Sequence, residues 1–243
     1  MFFGFAFPIV LFAMFATIFA GSFDAPEGAE ATLEAYYLAG MIAAAVMTSG
    51  FQTTVEILAS ERDDGTMQRL AVSPMPGSAY LVGKVILVVM NTSLQTLLLL
   101  LVARTVFGVD MPNPVFVFAW VLVLGTAAAT AAGVAFGSAM PNARSAIASA
   151  TPITVVLSIF SGSYIPMTEL PGWLQSAGYL FPQAWIARGL RHTVLPVEFT
   201  DAIEPQPFGV AAIGELPVVA VALSLWFVAM AALTWRAFRW FSR

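Results

Sequence analysis

The chain has 243 residues, 59% of them hydrophobic and 10% charged, with a formal net charge of -4, one histidine and no cysteine. A soluble domain spends about a quarter of its residues on charge, so this composition excludes a water-soluble globule, and the missing cysteines exclude disulfides and thiolate metal sites. The lone histidine argues against a histidine-rich metal site, and the lack of any basic run argues against a nucleic-acid partner.

Apolar runs long enough to cross a hydrocarbon layer about 30 Å thick recur along the chain. In lipid the backbone must satisfy its own hydrogen bonds, so such runs are helices or barrel strands. Stretches such as Ile9 to Phe15 and Leu97 to Val102 do not alternate apolar with polar, which selects helices. Six spans follow in one all-α domain covering 1–243: residues 2–20, 36–58, 80–106, 115–140, 147–164 and 213–238. The first lacks a positively charged start and a clean cleavage site, so it reads as a span rather than a signal peptide.

Lysine and arginine counts orient the chain. With both termini cytoplasmic, Arg62, Arg69, Lys84, Arg144, Arg236, Arg239 and Arg243 lie inside, against Arg104, Arg188 and Arg191 outside. The first loop, with Asp24, Glu27, Glu30 and Glu34, then faces outward, and the protein is a multi-pass protein of a cell membrane.

Between the second and third spans lies a polar insert, residues 60–76, whose charges are Glu61, Arg62, Asp63, Asp64 and Arg69. It reads as a short amphipathic helix from Ser60 to Ser73. Ser60 and Asp63 serve as an N-cap pair, Met67, Leu70 and Ala71 share one face, and Pro74 ends it. A helix of about three turns is unstable alone and needs a surface to lie on.

Lys84, at the start of the third span, reads as an anchor reaching for the headgroups. The nearest approach to a phosphate-binding loop, Gly77 to Gly83-Lys84, has one residue too many, with Val85 where Ser or Thr belongs, so nucleotide must be handled by another polypeptide. On the fourth span Ala129, Gly133 and Gly137 recur every four residues, which suits close helix packing within the subunit or a dimer seam. Within the spans, Thr48, Gln52 and Thr53 on the second and Thr151, Thr154 and Ser158 on the fifth are the polar candidates, though hydroxyls commonly bond their own helix in membranes. Glu56 reads as a helix-end acid that can reach water. Beyond the fifth span, Leu170, Trp173, Leu174 and Ala177 form one apolar face, and Pro182 opens a second segment carrying Trp185.

Two strings carry a family resemblance. The run Glu61-Arg62-Asp63-Asp64-Gly65-Thr66-Met67-Gln68-Arg69-Leu70, followed by Ser73-Pro74-Met75-Pro76, resembles the segment after the second helix of ABC type-2 transporter permeases. Residues Phe160 to Pro166, Leu170 to Leu174, Phe181 to Trp185 and Arg188 to Arg191 resemble the stretch between that family's fifth and sixth helices. The chain is similar to the daunorubicin-resistance type of drug-export permease.

The resemblance implies that Glu61 through Leu70 form a coupling helix docking on a separate ABC ATPase, which carries ATP and Mg, this chain binding no cofactor and catalysing nothing itself. It implies a homodimer, or a heterodimer with a related permease, exporting a drug, a lipid or a lipid-linked glycan through the bilayer. Helices two and five would line the path, with Thr48, Phe51, Gln52, Thr154 and Ser158 the candidates. Residues 165–192 would form short re-entrant or surface helices at the exit, with Tyr164, Pro166, Trp173, Pro182 and Trp185 as an outer gate. Family members usually begin with a cytoplasmic amphipathic helix that this sequence does not display before its first span.

Two other classes stand beside this one. A self-sufficient channel or ion-coupled carrier calls for carboxylates near mid-membrane or broken helices, and the span centres hold no acid. An intramembrane hydrolase would use Ser161 or Ser163 with His192, without an evident orienting acid.

Overall fold

The computed structural model describes residues 2–18, 33–72, 74, 76–196 and 215–237. Every regular element among the described residues is helical. Six helices correspond to the expected spans: α1 (Phe2–Ile18), α2 (Leu33–Asp63), α4 (Gly77–Val106), α5 (Val115–Ala139), α6 (Ala143–Phe160) and α9 (Glu215–Ala237). Between them lie three short helices, α3 (Thr66–Ala71), α7 (Gly172–Gly178) and α8 (Pro182–Val194). Five of the spans have 18 residues or more, and α1 has 17. At 1.5 Å per residue each is long enough to cross most or all of the hydrocarbon layer. The acidic loop residues Asp24, Glu27 and Glu30 fall outside the described residues.

Local sequence accounts for the helix limits. Pro76 and Pro114 sit in extended conformation just before α4 and α5, where a missing N–H and a fixed φ favour a helix start. Asn142 caps α6, its side chain accepting a hydrogen bond from the Ser145 N–H at 2.8 Å. This cap lets α5 and α6 reverse direction within three residues, as their tight antiparallel pairing requires.

The central rod is α2, whose most apolar window is 83% buried, against 33% for α4 and 11% for α9. Its seam with α5 is built from small residues. A Cβ on Gly50 would lie 2.6 Å from the Ala129 Cβ, and one on Gly133 would lie 2.7 Å from the Phe51 carbonyl, so both backbones approach as closely as two helices can. Gly137 meets Leu58 one turn further on. The Ala129, Gly133 and Gly137 stripe thus packs within the subunit. Between α2 and α4 the link is polar, the Ser49 hydroxyl donating to Gln95 Oε1 at 2.7 Å.

The seam coincides with a π-helical turn, Thr48–Gln52, in the middle of α2. One extra residue in a turn rotates the following face by about 100°. Phe51 and Gln52 both lie in this turn, Phe51 against Phe136 of α5 and Gln52 against Thr151 of α6.

The 161–195 region is divided between surface and interior, with Pro171, Gly172 and Trp173 exposed at the start of α7 and α8 buried. Helix α8 enters the bundle between α2, α5 and α9: Ile186 packs on Gly125, and Gly189 is met by Val121 and Val219. Gly125 is roughly 15 Å along α5 from Val115, so Pro182 begins α8 at mid-depth. The helix then climbs to the end of the bundle where Asn113 donates its N–H to the Thr193 carbonyl at 2.6 Å.

Candidate functional site

Three features hold polar or accessible groups: the insert at one end of the bundle, a track between α2 and α6, and the segment at the opposite end.

The insert is not one helix from Ser60 to Ser73. α2 continues unbroken to Asp63, so Ser60 is an interior residue whose hydroxyl donates to the Ile57 carbonyl at 2.9 Å rather than capping anything. The chain breaks at Gly65, in the left-handed conformation at φ 78°, which costs an ordinary residue about 1 kcal/mol or more. Only α3 follows, ending at Ala71 before Pro74. Hydrogen bonds from the Thr66 hydroxyl and backbone N–H hold the Asp64 carboxyl below the usual carboxylate range, the backbone bond measuring 2.9 Å, and Arg69 adds to the effect.

This geometry divides the insert into two sets of side chains. Glu61 accepts from the Tyr80 hydroxyl and pairs with Lys84 at 2.5 Å, so Lys84 is an internal strut rather than a headgroup anchor. Arg62 donates to the Met140 and Gly137 carbonyls, each at 3.1 Å, closing the carbonyl end of α5 where a cation is favoured. Met67 is buried with Leu58, Tyr80 and Val134, and Leu70 packs on that cluster. Asp63, Asp64, Gln68 and Arg69 point out and are exposed. Thr66 and Gly65 are half-buried at the hinge between the sets.

Along α2 and α6, Gln52 is the meeting point. Its amide nitrogen donates to Glu56 Oε1 and to the Thr151 hydroxyl, each at 3.0 Å. Thr48 is half-buried and bonds the Ala44 carbonyl at 2.9 Å. Thr154 and Ser158 face into the subunit, 4% and 0% exposed, bonded to the Ala150 and Thr154 carbonyls. Ser158 also accepts from Gln183 Nε2 at 2.9 Å, which ties α8 to α6. Phe51 instead lines a cavity of about 720 Å³ among α2, α5, α6 and α9, together with Met47, Phe136, Pro152, Phe160 and Trp226. All the side chains on its wall are apolar.

At the far end the residues read as a gate separate into two groups. Trp185 is buried, its indole N–H donating to the Tyr179 carbonyl at 2.8 Å, and Pro182 is buried beside it. Tyr164 is half-buried and stacks on Phe15, and Pro166 is half-buried at the start of a 3-10 turn, Met167–Glu169. Trp173, in contrast, is 71% exposed. The apolar face read as Leu170, Trp173, Leu174 and Ala177 is therefore split: Leu170 is buried and Leu174 packs on the core, while Trp173 projects away.

Residues that sequence reasoning placed in an outer loop prove to be internal. Arg191 is fully buried, its guanidinium 3.9 Å above the Tyr36 ring and donating to the Gly162 carbonyl at 2.6 Å. Arg188 donates to the Tyr179 hydroxyl at 2.8 Å. A spacing signal was available, since Gln183, Ala187 and Arg191 fall one turn apart on a single face of α8, but their partners lie far off in the chain. The Ser161 and Ser163 hydroxyls, the nucleophiles a hydrolase would need, are buried and bonded to each other at 2.8 Å.

Residues 29–238 match the family model described as ABC-2 family transporter protein. A comparison with curated proteins finds no match.

Proposed function

The chain belongs to the ABC-2 transporter family, and from that premise we propose that it is the membrane permease of an ATP-driven exporter that moves an amphiphile out of the cytoplasm. A separate ABC ATPase supplies the nucleotide chemistry with ATP and Mg, and two permease subunits, alike or related, complete the assembly. Both termini lie in the cytoplasm, on the side of the insert.

The single observation that carries this reading is the division of the insert. Glu61, Arg62 and Met67 fasten it to α4 and α5, and Asp63, Asp64, Gln68 and Arg69 remain outside. A segment tied rigidly to three helices on one side and free on the other is suited to pass a displacement from a docked ATPase to the membrane helices. Because α2 runs without interruption into Asp63, movement at the insert rotates or tilts the central rod itself.

The path runs along α2 and α6, past Thr48, Phe51 and Gln52, with the back-bonded Thr154 and Ser158 stiffening its wall. The apolar cavity beside Phe51 suits the hydrocarbon body of a drug, a lipid or a lipid-linked glycan. Tyr164, Pro166, Pro182 and Trp185 close the outer end, and Trp173 anchors it at the headgroups.

The test is reconstitution in liposomes with the ABC ATPase that co-purifies with the chain. Export of a fluorescent amphiphile should require ATP and both proteins. Transport by the purified chain alone, without ATP, would contradict the proposal and favour a self-sufficient carrier.

A further inference from the structure

Glu56 is a carboxylate for which the exporter reading assigns no role. It lies seven residues before the end of α2, and Thr151 lies eight residues after the start of α6. At 1.5 Å per residue Thr151 is about 12 Å inside α6, level with Gln52, and Glu56 lies one turn nearer the insert, between that level and the headgroups. A carboxylate there is costly where lipid covers it and is favoured where water or a cation reaches it.

Three observations define the surroundings. Gln52 spends both amide hydrogens at once, on Glu56 Oε1 and Thr151 Oγ1, so its orientation is set by two partners on two helices. Among the described residues the ion pairs are Lys84 with Glu61 and Arg104 with Asp110, and neither involves Glu56. Gln52 and Glu56 are half-buried while Thr151 is exposed, so the group opens on the α2 and α6 surface instead of being sealed in the core. The chain neighbours Phe51 and Pro152 line the apolar cavity.

We infer that Glu56, held by Gln52 and flanked by Thr151, is the recognition point for a positively charged headgroup, and that the cargo is a cationic amphiphile carrying an ammonium or guanidinium. Such a head donates to the free oxygen of Glu56 and to the Thr151 hydroxyl, and brings the charge that the carboxylate lacks. A sulfate or phosphate head is repelled there, and a neutral head leaves the charge unmatched. This rests on the exporter reading for its biological sense, but the binding itself needs neither ATP nor the ATPase.

The experiment uses the purified chain in nanodiscs of zwitterionic lipid, with empty nanodiscs as background. The probes are a dansyl-tagged alkyl ammonium and the sulfonate of the same chain length. The ammonium should bind the wild type roughly tenfold or more tightly than Glu56→Gln, since a charge-assisted bond is lost. Glu56→Asp should retain most of the affinity, Thr151→Val should lose severalfold, and the sulfonate should not distinguish the variants. Equal ammonium binding by wild type and Glu56→Gln overturns the inference, as does equal binding of the two probes. Loss of a wild-type dimer in Glu56→Gln, read by native mass spectrometry, also overturns it and reassigns Glu56 to an ion pair with a second copy. Failure of the exporter reading shows instead as ATP-independent transport, with ammonium selectivity intact.

Discussion

Two segments that link spanning helices, residues 61–71 at one end and 161–195 at the other, each carry two arginines and glycine turns. They are used in opposite ways. The second is drawn into the bundle until Arg191, Gln183, Ser161 and Ser163 are almost wholly buried. The first keeps Glu61 and Arg62 inside as struts and leaves Asp63, Asp64 and Arg69 exposed. What separates them is the supply of internal acceptors. The 161–195 segment meets an aromatic face at Tyr36, the Gly162 carbonyl and the Tyr179 hydroxyl, whereas at the other end the open carbonyls of α5 and the carboxylate of Glu61 are taken by Arg62 and Lys84, and Arg69 stays exposed, drawn to Asp64. Both segments are tied to the same rod, α2, through Tyr36 near its start and Glu61 near its end.

The largest expected effect is at Arg191. Arg191→Ala removes a buried side chain, its ring contact and its bond to Gly162, and should destabilise the protein by about 3 kcal/mol, read as a fall in thermal midpoint in detergent. Trp173→Ala in the same segment should shift it by less than about 0.5 kcal/mol. Similar shifts for the two would break the account of a buried far-end segment.

Next comes the rod that joins the ends. Gly133→Val places a branched side chain where even a Cβ lies 2.7 Å from the Phe51 carbonyl, and should cost about 2 kcal/mol through overpacking. Cross-linking yields between introduced cysteines on α2 and α5 should fall in parallel.

A smaller effect belongs to the insert's inner set. Arg62→Ala uncaps α5 and should cost about 1 kcal/mol, because the two bonds are charge-assisted but partly solvated. Faster amide hydrogen exchange in the segment 137–146 would locate the loss. A variant as stable as wild type would mean that the inner set is no strut.

Much of this arrangement was legible beforehand, because apolar run length alone places spans in lipid. The small-residue stripe of α5 and the polar insert also follow from composition. Less legible is the break at Gly65: Asp64-Gly65 is a turn signal, but apolar run length ends the second span at residue 58 and so starts a separate helix at Ser60. Run length ends where charges begin, but a helix that leaves the membrane can continue into water, and Glu61 and Arg62 are satisfied by α4 and α5 only because it does. The burial of Arg188 and Arg191 was hidden for a related reason. Charge counting assigns every arginine to water, and Tyr36 lies 155 positions from the arginine it covers. Gln52, which bonds Thr151, lies in the π turn, and hydropathy does not encode that turn.

The central claim is that the outer set of the insert meets the ATPase while the inner set holds the helices. The most direct measurement is the affinity of the co-purifying ABC ATPase for the chain in nanodiscs, comparing wild type with Arg69→Glu and following thermal stability in the same samples. The account predicts a loss of affinity of roughly tenfold and of substrate-stimulated ATP hydrolysis, with the thermal midpoint unchanged. Wild-type affinity and stimulation in Arg69→Glu would contradict it.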